Sequence, residues 1–226
     1  MEKILSLNYV KTVFLEAERK GKSIDLSGAT IERFILTHSQ IKVPVLFKNA
    51  KILGEIYFHK VVFDSEVNFE GASVGGTFFL SDCEIKENLN CKKISVGQNC
   101  NLVGSVFRKN VDFEGAQIMG FLSLSKTKIE GKVHFKNMKI SDFEEKTGKI
   151  VGNFYFDNAI ANEIIIENAA INGSLNLYAT KILRQLEITN TAIKKEFTLS
   201  HKEILKGKIK ERKKTEAELR QEWIKK

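Results

Sequence analysis

The chain has 226 residues, a net charge of +8, one proline and three cysteines. A lone proline suits a fold whose ladders need every backbone N–H, and an odd cysteine count excludes a fully paired disulfide framework. No stretch is long enough to cross a bilayer as an apolar helix. ILSLNYVKTVFL is too short, carries Lys11 and lacks a following small-residue cleavage site, so no secretory leader is expected.

Residues 1–21 read as a capping helix. Ile4, Leu7, Val10, Phe14 and Ala17 share one face from Glu2 to Lys20, and Gly21 makes a good C-terminal stop. A stacked repeat exposes core and an unpaired edge at its ends, so a cap is needed there.

From Ile24 the chain repeats. VNFEGASVGGT, FFLSDCEIKEN, LNCKKISVGQN, CNLVGSVFRKN, VDFEGAQIMGF and LSLSKTKIEGK follow one another from Val67 with a period of 11. Neither a helix nor an isolated strand has that period; stacked units do. The central apolar residues, Phe58, Phe63, Phe69, Val74, Leu80, Ile85 and onward, alternate in steps of 5 and 6. Two residues before each five-step centre there is usually a small one, such as Ala50, Ala72 or Ala116. Residues i and i−2 of an extended segment share a face, so each short segment sends two side chains inward and then turns a corner. Glycines such as Gly71 and Gly75 suit those corners, which need positive φ or close approach.

Units such as FEGASV, FEGAQI, LSGATI and ENAAI resemble the pentapeptide-repeat family, from about Ile24 to Leu199. The resemblance implies an all-β fold: a right-handed quadrilateral β-helix with one repeat per face, four faces per coil and about eight coils. This chain departs from the strict family period by lengthening alternate faces, giving a coil of 22. The β-helix is expected over residues 22–200. Reading every fourth centre gives a column Phe47, Phe69, Cys91, Phe113, Phe135, Phe156, with Phe113 buried between Cys91 and Phe135. SDFEEKTGKI places Phe143, Glu145, Gly148 and Ile150 on repeat positions. An inward Glu145 is costly, so a bulge is expected here, one that keeps the column count and leaves Phe156 above Phe135.

Residues 201–226 form a basic tail, read as a partly ordered helix. Lys202 to Lys226 carry +5 of the net charge.

No catalytic constellation emerges. His38, His59, His134 and His201 are scattered, and phosphate-loop, HExxH and GxSxG patterns are missing. Cys83, Cys91 and Cys100 fall at inward positions and read as buried small hydrophobes in a reducing, cytoplasmic compartment. The chain is therefore expected to be non-enzymatic, with no cofactor and no metal. Some members of the family it resembles mimic DNA, a role that needs an acidic rod, and this chain is basic.

Surface is what remains. The main expectation is a protein-interaction scaffold or regulator binding through a rod face, with a protein partner or a homodimer and no membrane. Ile35, Tyr57 and Phe79 are outward positions on consecutive coils, with Val62 beside them; equivalent positions elsewhere are mostly polar. A contiguous exposed apolar patch marks an interface. Tyr155, Ile160 and Ile165 form a second candidate. The alternative is an anion-binding protein that grips nucleic acid or an acidic surface through Lys208, Lys210, Arg212, Lys213 and Lys214.

Overall fold

The computed structural model describes residues 4–141, 143–145, 148–150, 152–199 and 208–212, with backbone alone for 143–145, 148–150 and 208–212. Short strands stack in parallel into a β-solenoid of about eight turns, in four ladders. The first face holds Val45–Leu46, Val67–Asn68, Leu89–Asn90 and Val111–Asp112, followed by Val133, Ile164 and Leu186. The second holds Ile31, Ile52, Val74, Val96, Ile118, Ile140, Ile171 and Ile193. The third runs through Phe34, Ile56, Phe78, Cys100, Leu122, Phe154, Leu175 and Phe197. The fourth runs through Ile41, Phe63, Ile85, Phe107, Ile129, Ala161 and Ile182.

Inward pairs fill the lumen. Val67 and Phe69, and likewise Val111 and Phe113, are fully buried. Rings stack along the axis: Phe47 and Phe69 lie 4.7 Å apart at 5°. Phe113 and Phe135 lie 5.8 Å apart at 19°.

The unequal steps have a local cause. Every coil turns two of its four corners through a residue with positive φ, among them Asn49, Gly71, Lys93 and Gly115 after the first face. Asp82, Gly104 and Lys126 do the same after the third. Gly71 is the third residue of a tight turn closed by Ala72 N donating to Phe69 O at 3.0 Å, a geometry that favours Gly or Asn. Gly75 has a different reason: a Cβ there would lie 2.4 Å from Leu53 O of the coil below.

The expected bulge exists, but it does not keep the column count. Phe143–Glu145 pairs antiparallel with Gly148–Ile150, so this segment forms a hairpin of its own rather than two faces of a coil. The coil resumes with Ser123 in register with Tyr155 and Ile140 with Ile171. Removing half a coil rotates the remainder by two faces. Phe135 is therefore followed by Ile166 on the first face, while Phe156 sits on the third face, above Leu124. Excising residues 142–151 should leave the solenoid's circular dichroism and melting midpoint nearly unchanged, because it restores a near-regular spacing. Ser141 and Gly152 already lie close, a Cβ on Gly152 falling 2.6 Å from Ser141 O. A deletion variant that unfolds would show that the hairpin belongs to the coil.

The helix α1, Leu7–Lys20, packs over the N-terminal end; it starts later than the expected Glu2, and Ile4, expected on its apolar face, lies instead in a strand. Ser6 accepts from Tyr9 N at its start, and Gly21, with φ 61°, closes it. Val10, Phe14 and Ala17 are buried, and Phe14 stacks on Phe34 at 4.6 Å. Glu18 Oε1 accepts from Lys42 N at 2.8 Å and Val43 N at 3.3 Å, satisfying backbone donors of the first coil. Ahead of α1, Ile4–Leu5 pairs with Thr30–Ile31 and extends the second face.

The tail is not the expected helix where it is described. Lys208–Arg212 is a strand, parallel to Gln185–Thr189, and adds a further rung to the first face.

Candidate functional face

The outward positions of the third face form one ladder: Ile35, Tyr57, Phe79, Asn101, Ser123, Tyr155, Asn176 and Thr198. The structure thus brings together Ile35, Tyr57 and Phe79, and adds Tyr155 to the same ladder. All four are half-buried. Tyr57 and Phe79 rings meet edge to face at 5.3 Å. Tyr155 lies 6.0 Å from Phe121 and accepts a hydrogen bond from Asn153 Nδ2 at 2.6 Å.

The ordinary work of this outward position is to cap the next corner. Asn101 Oδ1 accepts from Val103 N at 3.1 Å, and Asn176 Oδ1 from Tyr178 N at 2.9 Å. Asn68 and Asn90 do the same on the first face. Ile, Tyr and Phe have no acceptor to offer there, so Ile35, Tyr57 and Phe79 give up a cap and place apolar area outside. The buried residues of the capping helix, Val10, Phe14 and Ala17, belong to the lumen cluster at the end of the coil.

The other candidates separate. Val62 and Ile160 share the outward ladder of the fourth face, with Glu84, Val106 and Lys128 between them. Ile165 is on the first face, in a shallow cleft of about 190 Å³ lined also by Glu114, His134, Lys136 and Glu167. The seven residues therefore span three faces, and only the third gathers several of them. Of the basic candidates, Lys208, Lys210 and Arg212 stand in register with Gln185, Glu187 and Thr189. Lys213 and Lys214 lie outside the described residues.

Charges on the first face alternate along the axis: Lys48 pairs with Glu70 at 3.6 Å and Lys92 with Glu114 at 3.1 Å. The hydrogen bond from Lys92 holds the Glu114 carboxyl below its ordinary range. On the fourth face Arg108 bridges Glu84 at 2.8 Å and Glu130 at 2.7 Å. These pairs are exposed and each contributes little on its own.

Sequence inspection missed one cluster at a corner of the third face. His59 Nδ1 lies 3.3 Å from Ser81 Oγ and 3.7 Å from Asp82 Oδ2, with the His38 ring 5.7 Å away. The available signal was the spacing of 22 between His59 and Ser81. One ring nitrogen faces both partners, whereas a Ser-His-Asp relay needs acid and nucleophile on opposite nitrogens. Ser123 stands in the outward ladder yet is only 5% exposed, and its hydroxyl lies 3.1 Å from Ser125 Oγ. All three cysteines are free and buried. Burial pushes Cys83 up to about 11 and Cys91 and Cys100 well above the usual thiol range, so the nucleophilic thiolate is suppressed.

Among the described residues no group of His, Cys, Asp or Glu has the arrangement to hold a metal, and no helix is long and apolar enough to cross a membrane. Compared with known proteins, the chain matches no family model, no curated sequence and no solved structure at a significant level.

Proposed function

We propose that the chain is a non-enzymatic interaction rod of the pentapeptide-repeat type, working as a scaffold or regulator through its third face. One observation carries this reading. Ile35, Tyr57 and Phe79 occupy, on three successive rungs, an outward position that later rungs give to the capping residue Asn101 and to Ser123. An aromatic in place of a cap keeps part of its ring outside the lumen, and aromatics are enriched at protein interfaces. A cytoplasmic setting suits the three unpaired thiols.

The test is the Tyr57→Glu, Phe79→Glu double substitution. Both side chains are half-buried outside the lumen, so the variant should keep its circular dichroism. It should lose self-association or partner binding in sedimentation and pull-down. Unfolding with association intact would refute an interface on this face.

A second reading keeps the basic tail as an anion binder. It draws support from Lys208, Lys210 and Arg212 at alternate positions of one strand. Its signature is salt-sensitive retention on heparin.

A further inference from the structure

We infer that the partner of the third face is a second copy of this chain, laid antiparallel across a two-fold axis at the rung of Asn101 and Val103. This rests on the interface reading above and specifies its occupant.

The ladder is self-complementary about that rung. Reversing the rod places Tyr57 opposite Tyr155 of the other copy. The half-buried Phe79 then comes opposite the buried Ser123. A large side chain thus meets a small one on both sides of the axis.

Polar and charged side chains follow the same symmetry. The next column of the face reads His59, Ser81, Val103, Ser125 and Asp157 in rung order, fixed by the pairing of Ser81 with His59 and by Asp82 N to Val103 O and Lys126 N to Asp157 O. Reversal sets His59 opposite Asp157. The corner column reads Asp82, Gly104 and Lys126, and reversal sets Asp82 opposite Lys126. On the axis itself stand Asn101, Val103 and Gly104, so no charge meets its own image. An isologous contact requires this match of each surface position with its image. The parallel arrangement, with rung facing the same rung, sets Tyr57 against Tyr57 and Phe79 against Phe79 and leaves Ser123 opposite Ser123.

Two measurements on the full chain decide it. Val103→Cys should give a covalent dimer with a short bis-maleimide, because it lies next to its own image, whereas the native cysteines are buried. Phe79→Cys alone should not cross-link, and Phe79→Cys with Ser123→Cys should. Asp82→Lys and Lys126→Asp should each weaken dimerisation about tenfold, since like charges set across an interface are strongly unfavourable. The two together should restore it. Both substitutions are conformationally safe, because Lys60 and Lys126 already occupy this positive-φ column. A chain that stays monomeric to its solubility limit, or a dimer that fails the swap and cross-links through Phe79→Cys alone, overturns the inference. If Tyr57→Glu, Phe79→Glu nevertheless abolishes binding of a different protein, the interface reading stands without the homodimer.

Discussion

Removing residues 1–21 should make the rod aggregate. Phe14 closes the lumen by stacking on Phe34 at 4.6 Å and approaching Phe47 at 6.5 Å. Without it the first coil's apolar floor meets water. The loss extends to the backbone. Ile4–Leu5 supplies the outermost strand of the second face, and Glu18 satisfies Lys42 N and Val43 N. Deletion therefore uncovers a flat parallel edge together with a hydrophobic end, the combination that templates edge-to-edge association. Light scattering should show large particles while far-ultraviolet circular dichroism remains β-rich. Glu18→Gln should be far milder, because an amide oxygen still accepts. A truncated chain that sediments as a clean monomer would mean that the first coil seals itself.

The period of the coil was legible because stacking converts a three-dimensional constraint into a sequence one. Phe47, Phe69, Phe113 and Phe135 share a column and are all fully buried. What the period could not reveal was the hairpin at Phe143–Ile150. A hairpin strand and a solenoid face both alternate with a period of two, so Phe143 and Ile150 satisfy the repeat while pairing with each other instead. Glu145 was the only dissonant residue, and it indicated a bulge without fixing how many faces the bulge removes. That ambiguity displaced Phe156 from its expected column and hid Tyr155 from the ladder of Tyr57 and Phe79. The tail failed for a related reason. Leu205, Ile209, Leu219 and Trp223 suggested a helical stripe, yet the strand Lys208–Arg212 is set by the free edge of Lys181–Thr189, a tertiary cause. The cluster around His59 was invisible in linear order, since its members lie a full coil apart.

Phe135→Ala should be the most damaging single substitution in the lumen. The site is fully buried, and Phe135 sits where the rotated upper coils meet the lower ones. It stacks on Phe113 at 5.8 Å, meets Phe154 edge-on at 4.7 Å and reaches Phe156 at 6.3 Å. Truncating such a ring costs about 3–5 kcal/mol, or roughly 10 °C in melting midpoint for a domain of this size. Phe113→Ala should fall in the same energy range but act more locally. Its neighbours continue one regular column, with Cys91 on the rung below, and repeats couple to nearest neighbours. Loss of Phe135 instead removes the packing that joins the two halves across the register change. The variant should therefore melt in two steps, with hydrogen exchange rising first in residues 152–199 while residues 45–113 stay protected. A single cooperative transition with uniform loss of protection would show that the junction transmits no more strain than any other rung.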